Sequence, residues 1–145
     1  MSTKPGLVTQ SCEKSCWAAC MESWTYATWY FDKRTEQQLL WTFGDKDDGC
    51  RLDPSSTKYM QFLLTFDLKE QIRGAGQMTA RAANALLDTG DYFMFIEQQD
   101  EGSSHARLAY ACDGGILRAM DPDPTNGGFV HCRVDQLGKI LILKS

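Results

Sequence analysis

The sequence predicts an α+β fold, with helices in the first half of the chain packed on an antiparallel sheet in the second half. Apolar residues recur at three- and four-residue steps in several segments before residue 90, which is the period of an amphipathic helix. After that point the chain changes to short apolar segments separated by turn sequences such as DGG and PDPTNGG, as in consecutive strands. Helices followed by a run of strands indicate the α+β class.

The composition is that of an ordinary globular chain and excludes two classes of partner. Its 145 residues are 43% hydrophobic and 23% charged, and we expect one domain, residues 1–145. The net charge is −4 and no basic run exceeds Lys33-Arg34, so no nucleic-acid partner is expected. No apolar stretch is long enough for a membrane span, and the start lacks the apolar core of a signal peptide. We therefore expect a cytoplasmic location.

Three helices are predicted in the first part of the chain. Their spans are about residues 15–31, 35–43 and 56–65, with a loop at 44–56. The second helix opens at Thr35, and Gln38 three residues later completes a capping box.

The remaining elements are one short strand, a fourth helix and five consecutive strands. The short strand covers Asp67–Arg73, and Gly74–Gly76 then breaks the chain. An alanine-rich helix follows at residues 79–87 and is stopped by Gly90. The five strands are expected at residues 91–98, 105–112, 116–121, 129–134 and 139–144.

Three cysteines at four-residue spacing, Cys12, Cys16 and Cys20, allow several interpretations. A chain of this length does not need a disulfide framework, so free thiols are predicted for all six cysteines. A zinc site would use CxxC pairs or nearby histidines, whereas His105 and His131 are far away in the sequence. The acidic loop at 44–56 also fits the calcium-loop pattern poorly, so no metal is expected.

Cys16 is the best candidate for a reactive thiol. If Ser15 caps the first helix, Cys16 lies in its first turn, where unpaired N–H groups and the helix dipole stabilise a thiolate. Cys20 lies one turn deeper and is expected in the core, while Cys12 precedes the helix in a loop. The alternative is that all three cysteines merely pack.

A histidine and a carboxylate are predicted at the same end of the sheet. His105 begins one strand, and the strand after it returns to a window, residues 121–124, that contains Asp121 and Asp123. Such a carboxylate would orient the imidazole as a general base for a thiol. The hairpin register alone does not choose between the two acids. His131 is a rival base, but nothing in the sequence supplies it with an orienting acid.

These residues together resemble a known family. The chain resembles the papain-like cysteine protease superfamily in the order of its motifs. These are Gln10, the SCWA sequence at residues 15–18, His105, and Asp121 before a proline. The closest branch is the bacterial C39-type peptidases, which process bacteriocin leaders, together with related interbacterial toxin domains. The sequence departs from the family pattern at three places. Glu13-Lys14 replaces the Cys-Gly of papain, and Ser104 replaces the glycine that commonly precedes the histidine. Asp121 replaces the Asn of papain.

The resemblance implies a papain-like fold and a thiol endopeptidase that needs no cofactor. It implies Cys16 as nucleophile, His105 as base and acid, and Asp121 as the residue that orients the imidazole. The amide of Gln10, with the Cys16 backbone N–H, would form the oxyanion hole. The alternative is that Gln10 is a loop glutamine bonded to backbone or water. The cut in a polypeptide would follow Gly-Gly in a narrow substrate channel. Trp17, which follows the nucleophile, either lines this channel or belongs to the core.

Several functions remain open within the resemblance. The chain would be a leader-processing peptidase or a bacterial toxin or effector protease. A toxin would act in the target-cell cytoplasm and would have a cognate inhibitor or immunity protein. Alternatives on the same fold are a deamidase, a transglutaminase or a peptidoglycan amidase. A non-catalytic relative that binds peptides is a further alternative.

Overall fold

The computed structural model describes residues 3–72, 77–98, 104–137 and 140–145. Three predicted features lie outside these ranges: the end of the short strand at Arg73, the break at Gly74–Gly76 and the turn at Gly102-Ser103. Within them, helices precede a sheet and the α+β prediction is confirmed. The elements are α1 (Cys16–Ala27), α2 (Glu36–Phe43), α3 (Thr57–Thr65), β1 (Leu68–Ile72), α4 (Ala80–Gly90), β2 (Phe93–Gln98), β3 (Ser104–Asp113), β4 (Ile116–Asp121), β5 (Gly128–Arg133), a 3-10 turn (Val134–Gln136) and β6 (Ile140–Lys144).

Helix α1 ends four residues earlier than the apolar period predicts. Thr28 takes an extended backbone, and its hydroxyl donates to the carbonyl oxygen of Trp24 at 3.1 Å. Phe31 is nevertheless buried, because its ring packs edge-on against Trp24 at a centroid distance of 5.5 Å. The apolar period therefore identified Phe31 correctly as a core residue, but it assigned Phe31 to the helix instead of to the loop that follows.

The caps of the other helices are as the sequence indicates. The hydroxyl of Thr35 accepts from the Gln38 N–H, and the Gln38 side-chain oxygen accepts from the Thr35 N–H, which completes the predicted capping box. Ser56 and Thr79 each accept a backbone N–H at the starts of α3 and α4. Helix α4 continues to Gly90, three residues beyond the predicted end.

The sheet has the order β1-β6-β2-β3-β4-β5, and all neighbouring strands are antiparallel. Strands β2 to β5 are consecutive as predicted, but β6 is not, because it returns to lie between β1 and β2. Three successive residues of β6, Leu141, Ile142 and Leu143, are buried. A strand that is apolar on both faces is more stable inside the sheet than at its edge.

The two faces of the sheet carry separate cores. Strand residues alternate between them, so Met94 packs with α1, α2 and α3, while Phe93 and Phe95 pack with α4. Helix α1 lies against β3, with nine of its residues buried. The start of α1 is thereby held beside the first residues of β3. No helix within the described ranges has the length and apolar character to cross a bilayer.

Candidate active site

Cys16 is the first residue of α1 and is nearly buried, with 7% of its surface exposed. Ser15 occupies the N-cap position as predicted, but its side chain makes no capping bond to the helix. Its hydroxyl instead contacts the Cys12 N–H at 3.0 Å and a Glu36 carboxylate oxygen at 3.1 Å. The Ala106 N–H donates to Cys16 Sγ at 3.3 Å. The sulfur thus has both the helix N-terminus and a strand amide beside it, and both stabilise negative charge.

The imidazole of His105 lies between Cys16 and Asp121. Its Nε2 is 2.6 Å from Asp121 Oδ1, and the residue is 9% exposed. The Cys16 sulfur lies beside it, because Sγ accepts from the backbone N–H of Ala106, the residue after His105. Because Nε2 faces the carboxylate, Nδ1 is the ring nitrogen that remains for the sulfur. Cys16, His105 and Asp121, which the sequence singled out, are therefore brought together in one buried group.

Asp121 ends β4 and is almost fully buried, at 2% exposure. Besides His105, its carboxylate accepts from the Asp123 N–H at 2.9 Å and from Arg107 Nε at 2.6 Å. Asp123, the other acid of the predicted window, instead accepts backbone N–H groups of its own turn, from Thr125 and Asn126. The hairpin thus brings Asp121, and not Asp123, to the imidazole.

The pKa values of the pair shift in opposite directions. Burial by itself lowers the pKa of His105, but the hydrogen bonds to Asp121 and Cys16 outweigh it and raise that pKa to about 9. Burial alone would raise the pKa of Asp121, whereas hydrogen bonds from His105 and Arg107 lower it to about 2. Near neutral pH the site therefore holds an imidazolium beside a carboxylate.

Arg107 is a site residue that the sequence analysis missed. It follows His105 by two residues on β3, so both side chains lie on one face of the sheet. Its Nε donates to Asp121 Oδ2, and its NH1 group donates to Glu97 Oε2 at 2.7 Å. The sequence contained a sign of this role. Arg107 lies two residues after His105 on the same predicted strand, so it was expected on the same face and near the same acid.

Gln10 is held close to the same end of the sheet. Its backbone N–H donates to the Pro122 carbonyl at 2.9 Å. Its side-chain amide donates to the Cys12 and Glu13 carbonyls, both at 3.0 Å. Both amide hydrogens are thus used within the loop before α1, and Gln10 Oε1 is buried without a partner among the described residues.

Neither the Trp17 ring nor His131 belongs to the group formed by Cys16, His105 and Asp121. The Trp17 ring is buried in the core, edge-on to Phe62, and its Nε1 donates to the Cys50 carbonyl at 3.0 Å. A ring in this position packs α1 against α3, which agrees with the core interpretation of Trp17. His131 lies exposed on the edge strand β5, opposite Arg118.

The other two cysteines of the opening cluster differ from Cys16. Cys20 is fully buried, its thiol contacts the Ala106 carbonyl at 3.5 Å, and burial raises its pKa well above the ordinary value. Cys12 is half-buried and its sulfur contacts that of Cys50. Within the described ranges, no three acidic, cysteine or histidine side chains are grouped as metal ligands.

The helices of the first half and the antiparallel sheet form a papain-like fold. No protein-family model and no curated protein matches the chain. Among solved structures it is similar to the peptidase domain of Streptococcus ComA, a bifunctional ABC transporter involved in quorum sensing. The TM-score is 0.68 at 13% identity, and the match covers 97% of each chain. This likeness confirms the predicted fold and is consistent with the C39-type relationship that the motifs predict.

Proposed function

We propose that this protein is a thiol endopeptidase in which Cys16 is the nucleophile, His105 the base and acid, and Asp121 the residue that orients the imidazole. One observation carries the proposal: the buried His105 ring is 2.6 Å from Asp121 Oδ1, and Cys16 Sγ at the start of α1 accepts from the N–H of the adjacent Ala106 at 3.3 Å. A thiol, an imidazole and a carboxylate in this order are the components of nucleophilic acyl transfer.

The proposed reaction has two stages. At the start of the cycle the thiol proton lies on His105, and the Cys16 thiolate attacks the carbonyl carbon of a peptide bond to form a tetrahedral oxyanion. His105 then gives its proton to the departing amine, which leaves Cys16 as a thioester. Water attacks the thioester carbonyl and gives a proton to the now neutral His105, and the acid product leaves as Cys16 departs as a thiolate beside the protonated imidazole.

Arg107 acts in this proposal as a positioning residue. Its guanidinium occupies Asp121 Oδ2 and leaves Oδ1 for the imidazole. A carboxylate held at both oxygens cannot rotate away from His105, and the adjacent positive charge keeps it ionised. Glu97 fixes the other end of the guanidinium.

Gln10 is proposed as the side-chain donor of the oxyanion hole, together with the Cys16 N–H. The first N–H groups of a helix have no intrahelical partner, so the backbone donor is available. The amide of Gln10 would exchange one of its two loop carbonyls for the oxyanion during the reaction. The Gln10–Pro122 backbone bond ties Gln10 to the residue that follows Asp121.

We further propose a polypeptide substrate cut after Gly-Gly. This part of the proposal rests on the motif resemblance to C39-type peptidases, which implies leader processing with a substrate that is a leader peptide ending in Gly-Gly. A toxin or effector protease would instead cut an exposed Gly-Gly loop of a folded protein and would be blocked by a cognate inhibitor. A peptide library, with the cleaved bonds mapped, tests the preference. Cleavage only after bulky or charged residues would remove Gly-Gly specificity from the proposal.

The thiol-peptidase proposal is tested by labelling the protein briefly with iodoacetamide near neutral pH. We expect Cys16 to be labelled first of the six cysteines, and Cys16→Ala to abolish both this labelling and peptide cleavage. Cys132→Ala is a matched control on β5, and cleavage should continue in it. Faster labelling of Cys12 or Cys20, or cleavage by Cys16→Ala, would show that Cys16 is not the nucleophile.

A further inference from the structure

Two cysteines outside the proposed catalytic group are in contact. Cys12 lies in the loop before α1, and Cys50 lies in the loop between α2 and α3, 38 positions later in the sequence. Their sulfur atoms are 2.8 Å apart, with the Cys50 thiol directed at the Cys12 sulfur. Both residues are half-buried at the edge of the core that surrounds α1.

The two loops are also joined by other contacts, which hold the sulfurs in place. The Lys14 N–H donates to the Gly49 carbonyl at 2.9 Å, and Lys14 Nζ pairs with Asp48. On the other side, the Cys50 carbonyl accepts from Trp17 Nε1. The thiols are therefore adjacent because the surrounding backbone brings the loops together, and their contact does not depend on flexible side chains alone.

We propose that Cys12 and Cys50 are a covalent modification site at which an intramolecular disulfide joins the loop before α1 to the loop before α3. A disulfide bond is about 2.05 Å long, so the sulfurs would approach by less than about 1 Å. This cross-link does not depend on the proposed peptidase activity.

The oxidant is a small-molecule disulfide such as glutathione disulfide. The Cys12 thiolate attacks one sulfur of it, which releases one glutathione thiolate and leaves a mixed disulfide on Cys12. Cys50 then loses its proton and attacks Cys12 Sγ, which forms the internal bond and releases the second glutathione. In sum, two protein thiols are oxidised to one disulfide and one glutathione disulfide is reduced to two thiols. The hydrogen bond to Cys12 raises the pKa of Cys50 to about 11, which makes Cys50 the slower partner.

The cross-link lies next to the loop that carries Gln10. The Cys12 carbonyl accepts from the Gln10 amide, and the Cys12 N–H donates to Ser15 Oγ. A bond from Cys12 to Cys50 would thus restrain the peptide units that fix Gln10 and the start of α1. It would also remove entropy from the unfolded chain, because it closes a loop of about 40 residues.

The test equilibrates the folded protein in glutathione buffers with an increasing disulfide fraction, followed by acid quench, alkylation and peptide mapping. We expect a Cys12–Cys50 peptide to appear before any other internal disulfide. The oxidised protein should melt about 5–15 °C higher than the reduced protein. This gain should vanish in Cys12→Ser and in Cys50→Ser, and it should persist in the control Cys112→Ser.

Three results would overturn the proposal. They are a Cys12 that pairs with Cys16 or Cys20, stable glutathione adducts on Cys12 and Cys50 without closure, and a gain in melting temperature that survives in Cys50→Ser. None of these results bears on whether Cys16 cleaves peptides, since the mapping and melting experiments need no substrate.

Discussion

Arg107 Nε lies 2.6 Å from Asp121 Oδ2, while His105 Nε2 lies 2.6 Å from the other oxygen of the same carboxylate. One nearly buried carboxylate therefore serves two cationic partners, and each oxygen has its own. The guanidinium is in turn anchored by Glu97, the cross-strand neighbour of His105 on β2. The imidazole is thus positioned by a chain of charges that spans three strands.

Removal of the guanidinium should weaken catalysis and shift its pH dependence. We expect Arg107→Gln to lower kcat/KM by about 10- to 100-fold, because a charged hydrogen bond to Asp121 is lost. The pKa of Asp121 should rise, so the acid limb of the kcat/KM profile should move to higher pH. Arg107→Lys should recover part of the loss.

The matched control for Arg107 is Arg118→Gln, which breaks an exposed ion pair with Asp113 on the neighbouring hairpin strands. It should leave the pH profile unchanged. If Arg107→Gln reduced the rate uniformly with no shift of the acid limb, Arg107 would support the fold alone and would not position Asp121.

Asp121→Asn should reduce turnover by about 10⁴-fold, because the imidazole loses the acceptor that fixes its tautomer. Asp123→Asn is the control two residues away, since its carboxylate accepts only backbone N–H groups of the local turn. Its effect on turnover should be small. Steady-state kinetics and circular dichroism of both variants measure turnover and folding. An inactive Asp123→Asn variant together with an active Asp121→Asn variant would reverse the assignment.

If Gln10 is an oxyanion donor as proposed, Gln10→Ala should lower kcat by about 100- to 1,000-fold, because that donor is lost. The oxyanion exists only during the reaction, so the pH dependence of Cys16 alkylation should stay the same. The two measurements separate the roles of Gln10. Unchanged turnover would remove Gln10 from the oxyanion hole. A changed alkylation profile would mean that its bonds to the Cys12 and Glu13 carbonyls support the resting thiol.

The stability of the protein should depend on pH through His105. Its folded pKa of about 9 lies above the ordinary value of 6.5, so the imidazolium contributes stability that is fully present below about pH 6.5. That contribution is lost as the pH rises through about 9. The free energy of unfolding of wild type relative to His105→Gln should therefore shrink between about pH 6 and pH 9.5.

Urea denaturation at both pH values measures this difference, and NMR titration of the His105 ring measures the pKa directly. Asp121→Asn should lower that pKa, because a hydrogen bond that raises it is removed. A difference in unfolding free energy that is constant or grows with pH would contradict the sign of the shift.

The local parts of the site were predictable from the sequence. The start of α1 at Cys16 follows from an apolar period and a serine before it. The approach of His105 to residues 121–124 follows from a short hairpin, in which one turn restricts the register to a few positions. These features depend on neighbours within about 20 residues, where backbone periodicity and turn chemistry act.

Other features depended on tertiary packing. The insertion of β6 between β1 and β2 required a strand buried on both faces, and the choice of Asp121 over Asp123 required the exact geometry of the turn. The burial of Trp17, the amide orientation of Gln10 and the contact of Cys12 with Cys50 depend on how the loops before α1 and α3 pack together. Side-chain rotamers and contacts between distant loops are selected by surrounding packing, and a sequence period carries no information about them.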